Sequence, residues 1–136
     1  VYPKSAKNVG KYTVTIKFKN HYAGTEKRTF TINPKGTSVS KVTSPKKAQL
    51  KVTWKKQATQ TTGYQVQYST DKNFKKGNKT VTVKGAKTTA KTISKLTKGK
   101  KYYVRVRTYK TVNKTNFYSG WSKSGYPLPQ YVSYKE

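Results

Sequence analysis

The chain has 136 residues and no cysteine, and its 31 lysines and arginines face only three acidic residues, for a formal charge of +28. That length suits one domain, or one domain with a piece of another. The missing cysteines exclude disulfides and thiolate metal sites, and no apolar run approaches the ~18 residues of a membrane-spanning helix.

Hydrophobic residues make up 32% of the chain, so the core must be thin. Threonine, valine and tyrosine are abundant, whereas alanine, leucine and glutamate are scarce. This balance favours pleated, half-buried sheets over long helices. The charge favours solubility and draws polyanions in a salt-sensitive way. It does not choose among nucleic acid, anionic lipid and anionic wall polymer.

The opening residues, VYPKSAKNVGKYTVTI, read as the interior of a longer polypeptide, so a fragment is expected. In KYTVTIKFK, residues 11–19, Tyr12, Val14, Ile16 and Phe18 alternate with threonine and lysine. In KRTFTIN, Phe30 and Ile32 share a face. The two runs predict a β-hairpin with one apolar side, which needs a covering surface because a lone hairpin is marginal in water. The cover could be a neighbouring domain, the domain that follows, or a second chain. Pro34 and Gly36 then mark a boundary.

From residue 37 onward short strands recur. AQLKVTWKK places Leu50, Val52 and Trp54 on one face, and GYQVQYST places Tyr64, Val66 and Tyr68 inside. KTVTVKG, TAKTISKL, KYYVRVRTY and FYSGWSKS follow, and TSVSKVTS comes before. Seven such runs predict an all-β fold, a seven-stranded antiparallel β-sandwich with an extra N-terminal β-hairpin. Outward lysines would blunt its edges against aggregation. GYPLPQYVSYKE, residues 125–136, contains two prolines and reads as a tail or linker.

These residues resemble a fibronectin type III domain over residues 37–124. The resemblance rests on Trp54 in LKVTW, Tyr64 in GYQVQYS, and TISKLTKGKKYYVRVRTY, where Tyr102 follows Leu96 by six residues. The resemblance implies a core tryptophan at Trp54, and a tyrosine corner at Tyr102 whose hydroxyl bonds backbone near the preceding loop. One departure is Lys98, where the family usually has proline before the turn glycine. Residues 1–34 look like the closing hairpin of a bacterial immunoglobulin-like surface repeat. The expected division is therefore 1–34, 35–124 and 125–136.

Two of the three arginines, Arg105 and Arg107, lie two residues apart in YYVRVRTY, although lysine serves almost everywhere else. Strand alternation sends Tyr103, Arg105, Arg107 and Tyr109 outward together. YSGWS, with Tyr118 and Trp121, is similar to the WSxWS box of cytokine-receptor fibronectin domains, with tyrosine replacing the first tryptophan. That similarity implies a ladder of guanidinium groups interleaved with rings, for which a planar, weakly hydrated guanidinium is better suited than an ammonium. These six residues form the candidate binding or stacking face.

Catalysis finds no support in the residues. Acid–base work needs paired carboxylates or a positioned histidine, and the chain offers only His21, Glu26, Asp71 and Glu136. No metal site and no cofactor are expected. Asp71 reads as a turn residue, and Asn78 and Asn113, each in an NKT triplet, as ordinary loop residues.

The resemblances imply a non-catalytic spacer module of a bacterial cell-surface protein, extracellular or in the cell wall. The alternative is an adhesive domain that uses the aromatic-basic face on a glycan, a protein or anionic wall polymer. Neighbouring domains of the same polypeptide are the expected partners, and a dimer through the hairpin is a further one. Neither specific nucleic-acid binding nor a membrane span is expected.

Overall fold

A computed structural model describes residues 8–17, 25–123 and 130–133, with the backbone alone described at 14–17 and 25–26. The chain begins with a hairpin of β1 (Gly10–Lys17) and β2 (Thr25–Ile32). Its register sets Tyr12 opposite Phe30, and their rings stack with centroids 5.4 Å apart. The side chains of Val14 and Ile16, and all of Phe18 and His21, lie outside the described residues. Val9 is buried at the hairpin base, where its N–H donates to Gln60 Oε1 at 3.2 Å.

Seven strands follow: β3 (Val39–Thr43), β4 (Leu50–Trp54), β5 (Gly63–Ser69), β6 (Lys79–Lys84), β7 (Ala90–Ile93), β8 (Lys101–Val112) and β9 (Thr115–Tyr118). They form two antiparallel sheets, β3-β4-β7 and β6-β5-β8-β9. Each sheet turns one face inward. Leu50, Val52, Trp54 and Ile93 come from the first sheet and Tyr64, Val66, Val83, Val104 and Val106 from the second, and together they make one buried cluster. The sandwich and its alternating core are as the sequence predicts.

The tyrosine corner is present. Leu96 is buried, and the Thr97 N–H donates to the Tyr102 hydroxyl at 3.2 Å. Tyr64 supplies a second polar anchor inside the core. Its hydroxyl donates to the Ala86 carbonyl at 2.6 Å and accepts from the Gln57 N–H at 2.9 Å, so the buried phenol is satisfied at both ends.

β8 runs three residues beyond the expected run, to Val112, and turns directly into β9. The two turn residues, Asn113 and Lys114, have φ of 49° and 66°, the left-handed pair that a tight two-residue hairpin requires.

The stretch read from sequence as a C-terminal tail is in part a strand. β10 (Gln130–Tyr131) pairs with the start of β8, and Val132 is buried in the core. Two prolines, and a run too short to show an alternating pattern, masked this return to the sheet.

Candidate functional site: an arginine–aromatic stack on the sheet face

The long strand β8 carries the face. Its inward residues, Tyr102, Val104 and Val106, fill the core, which forces Tyr103, Arg105 and Arg107 to the opposite side, where each is half-buried. The segment after β9 runs back along the free edge of β8 and is fixed by two serines. Ser119 Oγ accepts from the Thr108 N–H and Ser122 Oγ accepts from the Val106 N–H, both at 2.9 Å. The same residues donate their own N–H groups to the Thr108 and Val106 carbonyls. Here hydroxyls replace a regular ladder, and the spacing Ser119–Ser122 holds Tyr118 and Trp121 over the sheet.

The two guanidinium groups are each enclosed between rings. Arg105 Cζ lies 4.2 Å from the Phe74 ring centroid and 4.7 Å from that of Trp121. Arg107 Cζ lies 4.3 Å from Trp121 and 3.9 Å from Tyr118. The stack therefore runs Phe74, Arg105, Trp121, Arg107, Tyr118. Burial lowers both guanidinium pKa values; the charge of Arg107 adds to the effect on Arg105, while Tyr118 opposes it for Arg107. Both groups stay charged at neutral pH.

Edge-on, the arginines are held by the next strands. Arg105 Nε donates to Gln67 Oε1 at 2.6 Å, and Arg107 Nε and Nη2 donate to Gln65 Oε1 at 3.0 and 2.8 Å. The glutamine amides pass the chain on to Thr80 and Thr82 hydroxyls, each at 3.2 Å. The register sets Arg105, Gln67 and Thr80 in one row and Arg107, Gln65 and Thr82 in another. An ammonium has neither the planar faces nor the fixed fork that this arrangement uses.

Tyr109 departs from the expectation. Alternation places it outward, but it is only 4% exposed. Gly63 lies opposite in the register, and the missing side chain lets the tyrosine ring settle on the strand while Tyr118 covers it at 6.4 Å. A Cβ on Gly63 would stand 2.2 Å from the Val83 carbonyl oxygen and 2.9 Å from the Tyr109 ring. Gly63→Ala is expected to destabilise by at least the ~1–3 kcal/mol typical of overpacking, measured by urea denaturation. Unchanged stability would contradict this packing. Tyr103 stands apart from the stack and meets Lys101, whose Nζ lies 5.9 Å from its ring centroid.

Phe74, buried at the outer end of the stack, was not found by sequence reasoning. It lies in the β5–β6 connection at φ 54°, outside any alternating run. Its position depends on Asp71, whose carboxylate oxygens accept from the Asn73 and Lys75 N–H groups, both at 3.0 Å. The same bonds, that of Asn73 foremost, hold the Asp71 carboxyl below its ordinary pKa. A lowered folded pKa means that this contribution is present above the unfolded value of ~3.9 and is lost as pH falls through the folded one. Carboxyl-detected NMR titration should place the Asp71 midpoint below that ordinary value; a midpoint above it would contradict the turn. Asn78 braces the same loop, its amide donating to the Phe74 carbonyl.

Among the described residues no group of three histidine, cysteine or acidic side chains could hold a metal, and no helix is long and apolar enough to cross a membrane. The fibronectin type III domain profile matches residues 32–124. The chain belongs to the fibronectin type III family. Members of this family are generally non-catalytic scaffolds, commonly structural or spacer modules, and are typically extracellular or at the cell surface, set among neighbouring domains.

A search of curated proteins found no match. Among solved structures, this fibronectin type III chain is similar to the fn3 domain of human contactin 1, at 13% identity and a TM-score of 0.61, over 77% of this chain and 83% of that one. It is also similar to the fn3 domain of the human collagen alpha-1(XX) chain, at 17% identity and a TM-score of 0.57, over 76% and 90%. At these identities the likeness is one of fold.

Proposed function

We propose that this fibronectin type III domain is a structural spacer of a bacterial cell-surface multidomain protein. Residues 1–34 are the closing hairpin of a preceding immunoglobulin-like domain, and residues 130–133 return to complete the sandwich. The observation that carries the reading is that each guanidinium Cζ lies within 3.9–4.7 Å of the centroids of two of the chain's own rings. A face that serves as an adhesive platform keeps its aromatic surfaces open for a ligand, whereas this one uses them to tie β8, β9 and the β5–β6 loop together.

The charge supports the same reading. Lys41, Lys51 and Lys91 are exposed on one sheet, and Lys79 and Lys84 on the other. Charge spread in this way gives general attraction to anionic wall polymer, not a reading surface for bases. Binding to heparin, DNA or wall polymer should fall by orders of magnitude between about 50 and 200 mM salt, irrespective of sequence.

The experiment is a binding panel of neutral glycans and polyanions at two salt concentrations. The spacer reading expects polyanion binding that collapses with salt and no binding of neutral glycans. Neutral-glycan binding that persists in high salt and is lost in Trp121→Ala would overturn it.

A further inference from the structure

One end of the sandwich contains a cavity of about 270 Å³. Tyr68 of β5, Lys79 at the start of β6, Lys95, Leu96 and Lys100 of the β7–β8 loop, and Tyr102 of β8 line it. The hydroxyls of Thr70 and Thr97, which donate and accept, and Gly77 complete the lining. The three ammonium groups can only donate. The Tyr102 hydroxyl accepts from the Thr97 N–H and so directs its own O–H elsewhere. Tyr68 carries a phenol that burial holds protonated, with the neighbouring Tyr102 adding to the effect.

Among the described residues no acidic side chain lines the cavity. Asp71, near it in the chain, is occupied by the backbone N–H groups of Asn73 and Lys75. Three ammonium groups around a recess with a partly apolar wall, and no acidic partner among the described residues that line it, create a positive potential that favours an anion.

We propose that this cavity binds a phosphate ester carried on a sugar or polyol. The chemical class follows from the donors. Three ammonium groups match the charge of about −2 and the three acceptor oxygens of a phosphate ester better than the single charge of a carboxylate, lysine binds phosphate as a point charge, and the threonine and tyrosine hydroxyls of the lining suit the hydroxyls of a sugar or polyol. The volume exceeds the ~30 Å³ share of one water many times over, so the recess accepts the carrier as well as the anion. This site goes beyond the spacer role, since a spacer needs no such recess.

The test uses the whole chain, glycerol 3-phosphate as the probe, and amide NMR shifts at a constant ionic strength of about 0.15 M, where the screening length is ~8 Å. Saturable shifts are expected at Gly77, Thr97 and Lys100. The variant K79Q/K95Q/K100Q should weaken binding at least about tenfold, the loss expected when several charged donors to one phosphate are removed. K41Q/K51Q/K91Q removes the same charge from the other sheet and should leave binding unchanged. Tyr68→Phe removes only a hydroxyl and should weaken binding without unfolding the chain, which keeps the test open should the triple variant fail to fold. Shifts that rise linearly without saturation, equal losses in the two triple variants, or tighter binding of galacturonate than of glycerol 3-phosphate would each overturn the proposal.

Discussion

Replacing Trp54 with alanine is expected to remove about 3–5 kcal/mol, the usual cost of deleting a large core aromatic. A domain of this kind holds only ~5–15 kcal/mol in total, so the variant should be close to unfolding at room temperature. Trp54 is 2% exposed and packs on Tyr64 with ring centroids 5.3 Å apart, so its removal opens a void between the sheets that backbone on both sides prevents from closing. The indole also carries a cost of its own. Its Nε1 is buried without a hydrogen-bond partner, and an unpaired buried donor costs ~1–3 kcal/mol. Trp54→Phe should therefore lose much less than the alanine variant, because it removes volume and that penalty together. Urea denaturation of the two variants measures both effects. A loss below ~1 kcal/mol for Trp54→Ala would show that the core does not centre on this ring.

A chain ending at residue 129 is expected to lose about 3 kcal/mol or more, from one buried valine at ~1.5–3 kcal/mol and several hydrogen bonds at ~0.5–1.5 kcal/mol each. Val132 is 1% exposed. Its N–H donates to the Lys100 carbonyl at 2.9 Å and its carbonyl accepts from the Gly99 N–H at 2.8 Å. Ser133 adds a bond from its N–H to Ser44 Oγ at 2.8 Å and accepts from the Ala48 N–H at 3.2 Å. The segment thus closes one end of the sandwich by touching the β3–β4 loop, the β7–β8 loop and β8. Thermal unfolding that does not change on truncation would return these residues to the role of a linker.

Features that repeat along a strand were legible in the sequence. Leu50, Val52 and Trp54, or Tyr102, Val104 and Val106, announce an inward face because burial acts on every second residue. Arg105 and Arg107 were legible for the complementary reason: two guanidinium groups on the outward phase, in a chain that otherwise uses lysine, mark a place where a plane is needed.

What escaped depends on single residues brought in from outside an alternating run. Phe74 reaches the stack from a loop at positive φ, and no period points to it. Tyr109 is hidden because its partner Gly63 has no side chain, a fact about the neighbouring strand that its own strand cannot report. Val132 enters the core after two prolines that read locally as linker. Gln65 and Gln67 look like ordinary outward residues until the register places them beside the arginines.

The proposed spacer role makes the aromatic-basic face an internal brace, and the variant R105K/R107K tests this most directly. It keeps the charge and most of the aliphatic stem, and removes only the planar groups. Cation–ring contacts are worth ~0.5–2 kcal/mol each, and hydrogen bonds from charged groups ~1.5–3 kcal/mol before the lysines recover part of either. The brace therefore predicts a net loss of about 2–4 kcal/mol in urea denaturation, together with a change in Trp121 fluorescence as its ring loses both neighbours. Stability within ~0.5 kcal/mol of the parent, the ordinary range for a surface substitution, would contradict it and leave the arginines free for a ligand.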